Sequence, residues 1–245
     1  MDTLPPLSLL APLALLLVAV LAIFRPGRRP GALPRLAEAS AALGVLLSIA
    51  GMVQLIALGP LSWALGDGPL ALGLRLDAIS ATMALLVAFV GWVVVRYSGR
   101  YLDGEAREGA FHGLMLATLS AVLALVQSGS LAVLVLAFLA VGLGMRQLLL
   151  FYPDRPEAQR AAAKFTLVWG AGDALLIAAA ILLFKAFGTA DLAAITKAAA
   201  GDLPIAAGIA VGLLVIAAAL KTASFPLHGW LTEVMEAPTP VSALL

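Results

Sequence analysis

The stretch LKTASFPLHGWLTEVMEAPTPVSALL, residues 220–245, decides how the rest of the chain is read. Sixteen apolar or glycine residues, 205–220, run without interruption into Lys221. Pro226, His228, Glu233, Glu236, Pro238 and Pro240 then follow, and a new apolar run opens near Pro240. Proline removes an intrahelical hydrogen bond and clashes one turn back, so Pro226 predicts a helix break near Thr222. Pro238 and Pro240 mark a further discontinuity before the next apolar run. A polar group beside a broken apolar helix is how transporters build ion sites at membrane mid-depth. A helix continuous from residue 203 would instead carry Lys221 about eighteen residues in, within reach of the aqueous surface. The residue pattern leaves both arrangements open.

Composition places this stretch in a membrane protein. Of 245 residues, 62% are hydrophobic and 12% charged, against about 25% charged in a soluble domain. Runs of 18 or more apolar residues read as membrane spans, because about 20 helical residues cross about 30 Å of hydrocarbon. There is no cysteine, which excludes thiolate-held iron–sulfur clusters, cysteine zinc sites and disulfides within this chain. His112 and His228 are too far apart in sequence to suggest a metal site. No basic patch with interleaved aromatics points to nucleic acid. GAGDAL, from Gly170, lacks the third glycine of a dinucleotide fingerprint and lies inside an apolar run. The expectation is a chain with no cofactor, no metal and no catalytic site of its own.

The fold class expected is an all-α polytopic bundle. Spans are predicted at residues 7–24, 36–58, 78–97, 110–127, 131–151, 161–184 and 203–220, with an eighth beginning near Pro240. The first lacks the basic start and cleavage site of a signal peptide. Eleven Lys and Arg residues fall in the first, third and fifth connections and three, Arg75, Lys185 and Lys197, on the opposite side. Positive residues accumulate on the cytoplasmic side, so the amino terminus is expected outside a bacterial inner membrane. Of the two long outer connections, residues 59–77 read as irregular or hairpin-like and residues 185–202 as a short surface helix capped by Thr189.

Charges within the spans are expensive, roughly 2.5–3.5 kcal/mol at a helix centre on insertion scales. Arg146 lies close enough to the cytoplasmic surface to snorkel. Asp173 lies about thirteen residues, or roughly 20 Å, beyond the cytoplasmic start of its span and cannot. It reads as a functional group or as a structural aspartate bonded to a neighbouring helix. His228, Glu233 and Glu236 lie among Leu227, Trp230, Leu231 and Met235. They read as a proton-exchanging lining leading to Lys221, or as an interfacial loop with a Trp anchor.

KTASFPLHGWLTEVMEAPTPVSALL resembles the signature of the antiporter-like membrane subunits of respiratory complex I. That signature is shared with large Mrp sodium/proton antiporter subunits and with the membrane subunit of the DAB inorganic-carbon uptake complex. The family pattern, a Lys and then roughly FPLHxWLPDAMExPTPVSAL, is met at Lys221, Phe225, Pro226, Leu227, His228, Trp230, Leu231, Met235, Glu236, Pro238, Thr239, Pro240, Val241 and Ser242. Weaker likeness extends back to about Leu74 and includes AAAKFTLVWGAGDALL, where Lys164 and Asp173 fall on positions the family uses.

The resemblance implies two inverted five-helix repeats, each with a broken helix carrying a mid-membrane lysine. Residues 1–109 would then be a three-span amino-terminal segment and residues 110–245 the first repeat, ending inside its last helix. A bundle closing there would leave carbonyls unpaired in lipid, so a fragment, or a second repeat carried elsewhere, is expected. The sequence departs from the family where a W-E-x-x-G-L pattern becomes FLAVGL. Phe138 and Leu139 stand there in place of the Trp and of the glutamate that partners the lysine. An N-R-V-G-D pattern likewise becomes WGAGD, losing an arginine and keeping Asp173.

The likeness is nearest to the DAB membrane subunit. It implies a proton-conducting subunit with a relay through Lys221, Asp173, His228, Glu236, Glu233 and Lys164, with Asp173 replacing the missing glutamate. The implied partners are membrane lipid, other subunits of a membrane complex and a soluble zinc-containing, carbonic-anhydrase-like subunit that yields bicarbonate. A complex I subunit L-type pump, an Mrp-type antiporter subunit and a purely structural bundle are the rival expectations.

Overall fold

The computed structural model describes residues 6–201, 203–224 and 227–243, without the side chains of residues 227 and 233–236. Among the described residues, five helices are long and apolar enough to cross a membrane: α2 (Leu33–Leu58), α3 (Ala78–Tyr101), α4 (Glu108–Val126), α5 (Leu131–Leu149) and α6 (Pro156–Phe187). Two shorter apolar helices flank them, α1 (Leu10–Ile23), extended by a 3-10 turn at Leu7–Leu9, and α8 (Ile205–Lys221). Each of the seven complete spans expected therefore coincides with a helix, two of them shorter than a full crossing. The fold is a polytopic helix bundle.

Helix α4 is the centre of the larger core. Its Phe111, Met115, Leu116, Leu119 and Leu123 are buried, against α1 on one side and α5 on the other. Gly109 permits the closest approach, because a side chain there would overlap the Arg25 carbonyl at the end of α1. From this centre α5 leads to α6, and α6 packs along α8. A second core forms there from Leu131, Ala179, Leu183, Ala207 and Ala210.

The outer connections are ordered by backbone bonding. Residues 59–77 form a hairpin, β1 (Leu61–Leu65) antiparallel to β2 (Leu72–Leu76), in register Leu61↔Leu76 to Leu65↔Leu72. Gly66 and Gly68 turn it with positive φ. Ser130, the N-cap of α5, ties the hairpin down by accepting from Gly73 N (2.9 Å) and donating to Ala71 O (2.7 Å). Leu131 N in turn donates to Ala190 O and Leu192 N to Gly129 O. The three outer turns form one sheet-like patch.

The short surface helix is α7 (Leu192–Ala198), and its cap is Asp191 rather than Thr189. The Asp191 carboxylate accepts from Ala193 N at 2.7 Å and Ala194 N at 3.3 Å, the amides a residue directly before the helix can reach. Thr189 lies two residues too early and instead accepts from Asp191 N at 3.2 Å.

Asp77 caps α3 in a reciprocal box. It accepts from Ser80 N at 2.9 Å while Ser80 Oγ accepts from Asp77 N at 2.7 Å. Burial works to raise the Asp77 carboxyl, but the Ser80 bonds and Arg75, 3.1 Å away, outweigh it and hold it below the usual carboxylate value. A depressed folded value stabilises above the ordinary carboxylate range, and the gain is lost as pH falls through the lowered value. Asp77→Ala should cost about 1 kcal/mol near neutral pH and flatten the acid limb of thermal stability in detergent. An acid limb identical to the parent protein's would show that the cap carries none of it.

Candidate functional site

Helix α8 ends at Lys221, and the way it ends fixes the lysine. Thr222 N still donates to Ala218 O at 2.9 Å, but Ala223 adopts a left-handed φ of 50°. Ser224 N then donates to Ala219 O at 3.2 Å, the long closing bond of a Schellman-type terminus. Leu220 O, the neighbouring carbonyl of the last turn, accepts from Trp230 Nε1 at 3.3 Å. A 3-10 stretch, Leu227–Glu236, follows, and α9 (Thr239–Ser242) opens beyond it. The break expected near Thr222 is present, although Pro226 itself lies outside the described residues. Pro238 is the N-cap of α9 and Pro240 lies in its first turn, so both open a helix.

The end of α8 lies beside the middle of α6. Asp173 is the eighteenth of the 32 residues of α6, roughly 25 Å from its start at Pro156. Lys221 Nζ donates to Asp173 Oδ1 at 2.5 Å, and the two side chains are only 6% and 12% exposed. Gly172 makes room for the contact. A Cβ there would stand 3.4 Å from both Cγ and Cε of Lys221, so the lysine stem crosses α6 over a residue without a side chain. Ala217, one turn before Lys221, is buried in the same interface.

Aromatic faces complete the enclosure. Nζ of Lys221 lies 4.2 Å from the centroid of the Trp169 ring and 4.7 Å from that of Phe138. Both are within cation–π range. Trp169 stacks on Phe165 at 5.0 Å, and Trp230 meets both rings edge-on at 5.3 and 5.9 Å. Trp230 is buried in this cluster rather than set at the membrane surface.

Of the residues singled out from sequence, the structure brings together Lys221 and Asp173. His228 is exposed on the 3-10 stretch, and Lys164 is exposed on α6 nine residues before Asp173. The side chains of Glu233 and Glu236 lie outside the described residues. Sequence reasoning missed Trp169, Gly172 and Trp230 as parts of the lysine's surroundings, and it read Phe138 only as a lost family residue. The spacing of Phe165, Trp169 and Asp173, four residues apart each time, is the signal that could have found the α6 face.

Comparison with known proteins gives this geometry its context. A family described as NADH:quinone oxidoreductase/Mrp antiporter, TM, matches residues 128–245. A second, NADH-Ubiquinone oxidoreductase (complex I), chain 5 N-terminus, matches residues 63–112. A probable inorganic carbon transporter subunit DabB2 from Halothiobacillus neapolitanus is 42% identical over 207 residues, covering 84% of this chain and 38% of that protein. NADH-quinone oxidoreductase subunit L from Mycobacterium tuberculosis is 34% identical over 176 residues, covering 71% and 27%. A chain of the Mrp complex from Dietzia sp. superposes with a TM-score of 0.76 at 26% identity, covering 96% of this chain and 26% of that one. The chain thus spans well under half the length of these relatives. The first matched segment carries the lysine helix and its aspartate partner and the second most of the preceding hairpin, and the chain belongs to the antiporter-like membrane-subunit family of complex I and the Mrp antiporters.

Proposed function

We propose that this chain is the lysine-bearing part of a proton-conducting membrane subunit and that Lys221 is its relay. The observation that carries this reading is the buried contact between Lys221 Nζ and Asp173 Oδ1 at mid-depth of α6. A neutral Lys221 amine takes up a proton to become the ammonium, and handing that proton on returns the amine. Asp173 and the ring faces of Trp169 and Phe138 stabilise the ammonium between these events. Asp173 thereby stands in for the glutamate that Leu139 replaces. Protons reach the pair past His228, Glu233 and Glu236 on the 3-10 stretch, and Lys164 on α6 continues the relay.

Each charge carried through 100 mV releases about 2.3 kcal/mol, which a partner subunit must capture for useful work. The relative named as an inorganic carbon transporter subunit supports uptake of inorganic carbon as that work. A soluble zinc-containing, carbonic-anhydrase-like subunit would then be the partner. The two matching families, named for complex I and Mrp antiporters, support the second reading, a redox-driven pump or cation/proton antiporter. The excess of Lys and Arg in the connections that lead into α2, α4 and α6 supports an amino terminus outside a bacterial inner membrane. Residues 110–245 would form the first of two inverted repeats, preceded by the three-span segment 1–109.

Lys221→Met, in the whole subunit reconstituted in vesicles, should reduce proton flux at least about ten-fold, the loss of one buried charged hydrogen bond, at normal insertion. Flux at the parent level would remove the relay. Asp173→Asn leaves the ammonium without its carboxylate and should lower stability by about 3 kcal/mol while impairing flux; unchanged flux would show that the pair is only structural. Gly172→Val adds methyl groups against the lysine stem and should displace it. Labelling of Lys221 by a water-soluble amine reagent should rise about ten-fold, the equivalent of roughly 1.4 kcal/mol of overpacking. A labelling rate unaltered by valine would mean that Gly172 does not set the lysine's position.

A further inference from the structure

Apart from the lysine pair, the most strongly charged feature is a cleft of about 720 Å³ between the amino end of α2 and the carboxyl end of α3. Arg29, Arg35, Arg96 and Arg100 line it together with Glu38 and Asp103. Arg96 lies 3.6 Å from Glu38 and Arg29 3.8 Å from Asp103. Arg35 and Arg100 have no acidic partner among the described residues.

The cleft is a built feature. Its third acid, Glu108, also lines it and is 3% exposed. Its carboxylate accepts from the backbone N–H groups of Arg29 and Gly104, both at 3.1 Å. Those bonds hold Arg29 at a φ of 46°, a left-handed conformation that a non-glycine residue adopts at a cost of about 1 kcal/mol or more. A buried carboxylate is therefore spent on fixing the backbone of a cleft arginine. One wall is the amino end of α2, whose N-cap Ala32 offers no side-chain acceptor, so the positive end of the helix dipole adds to the field.

We propose that this cleft binds the phosphate of an anionic phospholipid. Arginine forks pair with phosphate oxygens in a bidentate manner, and Arg35 and Arg100 approach from different helices. Lipid is favoured as the source of the phosphate because α2 and α3 continue from the cleft into surfaces exposing Leu36, Leu43, Phe89 and Val93. Acyl chains would cover those residues. Tyr97 and Tyr101, half exposed and stacked at 5.5 Å, mark the same end of α3 as interfacial.

The test uses the whole subunit in nanodiscs of phosphatidylglycerol and phosphatidylcholine in equal parts, with retained lipid read by native mass spectrometry after detergent extraction. Phosphatidylglycerol should be retained selectively, and Arg35→Gln with Arg100→Gln should lower that retention about ten-fold. Arg155→Gln with Arg160→Gln removes the same charge near the start of α6 and should leave it unchanged. Equal losses from both pairs would reduce the effect to general attraction of a basic surface and overturn the site. Displacement of the lipid by millimolar inorganic phosphate would overturn lipid as the source. If the glutamine pair fails to insert, Arg35→Lys with Arg100→Lys takes its place. That pair keeps the charge and loses the fork, so reduced retention supports the site and unchanged retention overturns it.

Discussion

An ammonium and a carboxylate placed in hydrocarbon must find each other or lose their charge. Moving one such ion from water into a dry interior costs of order 20 kcal/mol in the idealised limit and several kcal/mol after relaxation. Asp173 is too deep in α6 for its short side chain to reach water, and Lys221 arrives beside it at the end of α8. Their contact depends on how closely the two helices approach. That approach is set by residues with little or no side chain: Gly172 under the lysine stem, and Ala207, Ala210 and Ala217 along α8. Larger residues at these positions would push the backbones apart and leave two unpaired charges. The chemistry of the pair and the packing of small residues are thus one constraint.

The surroundings of the ammonium differ from those of a lysine between two carboxylates. A second acid would overcompensate one positive charge and would itself need a proton or a cation. Here the remaining coordination comes from ring faces, Trp169 and Phe138, whose quadrupoles attract a cation without carrying net charge. A ring is also indifferent to pH, and residues 138 and 139 of α5 set no titrating group beside the pair. Phe138 is thus more than a vacancy left by a lost family residue.

Much of the bundle was legible in the sequence because lipid imposes one simple rule, apolar runs of sufficient length, and each run became a helix. The cap of α7 was misplaced because Thr189 and Asp191 both carry capping side chains, and only the start of the helix at Leu192 chooses between them. Outer residues 59–77, read as irregular or hairpin-like, are a hairpin, but its stitching to two other turns rests on non-local bonds to the backbones of Gln127 and Gly129 and the hydroxyl of Ser130 that no local pattern encodes. The partners Lys221 and Asp173 were legible as individually costly residues. The aromatic enclosure was not, since Phe138, Trp169 and Trp230 come from three separate elements and each alone reads as ordinary membrane hydrophobicity.

The helix break itself is better explained by hydrogen-bond accounting than by proline alone. Ending a helix at mid-depth frees carbonyls that lipid cannot satisfy. Ser224 N–H takes the Ala219 carbonyl, which requires the chain to turn left-handed at Ala223, a conformation that glycine would adopt at lower cost. Trp230 N–H takes the Leu220 carbonyl, and its ring is fixed in turn by Phe165 and Trp169 of α6. The strained turn therefore persists because its alternatives leave a half-buried carbonyl unpaired. Since Trp169 also faces the ammonium, the end of α8, the 3-10 stretch and the lysine pair share a single set of contacts. A shift in the 3-10 stretch that withdrew the Trp230 ring would free the Leu220 carbonyl and loosen Trp169 together. Lys221 and the break thus share Trp169 and Trp230 as common neighbours.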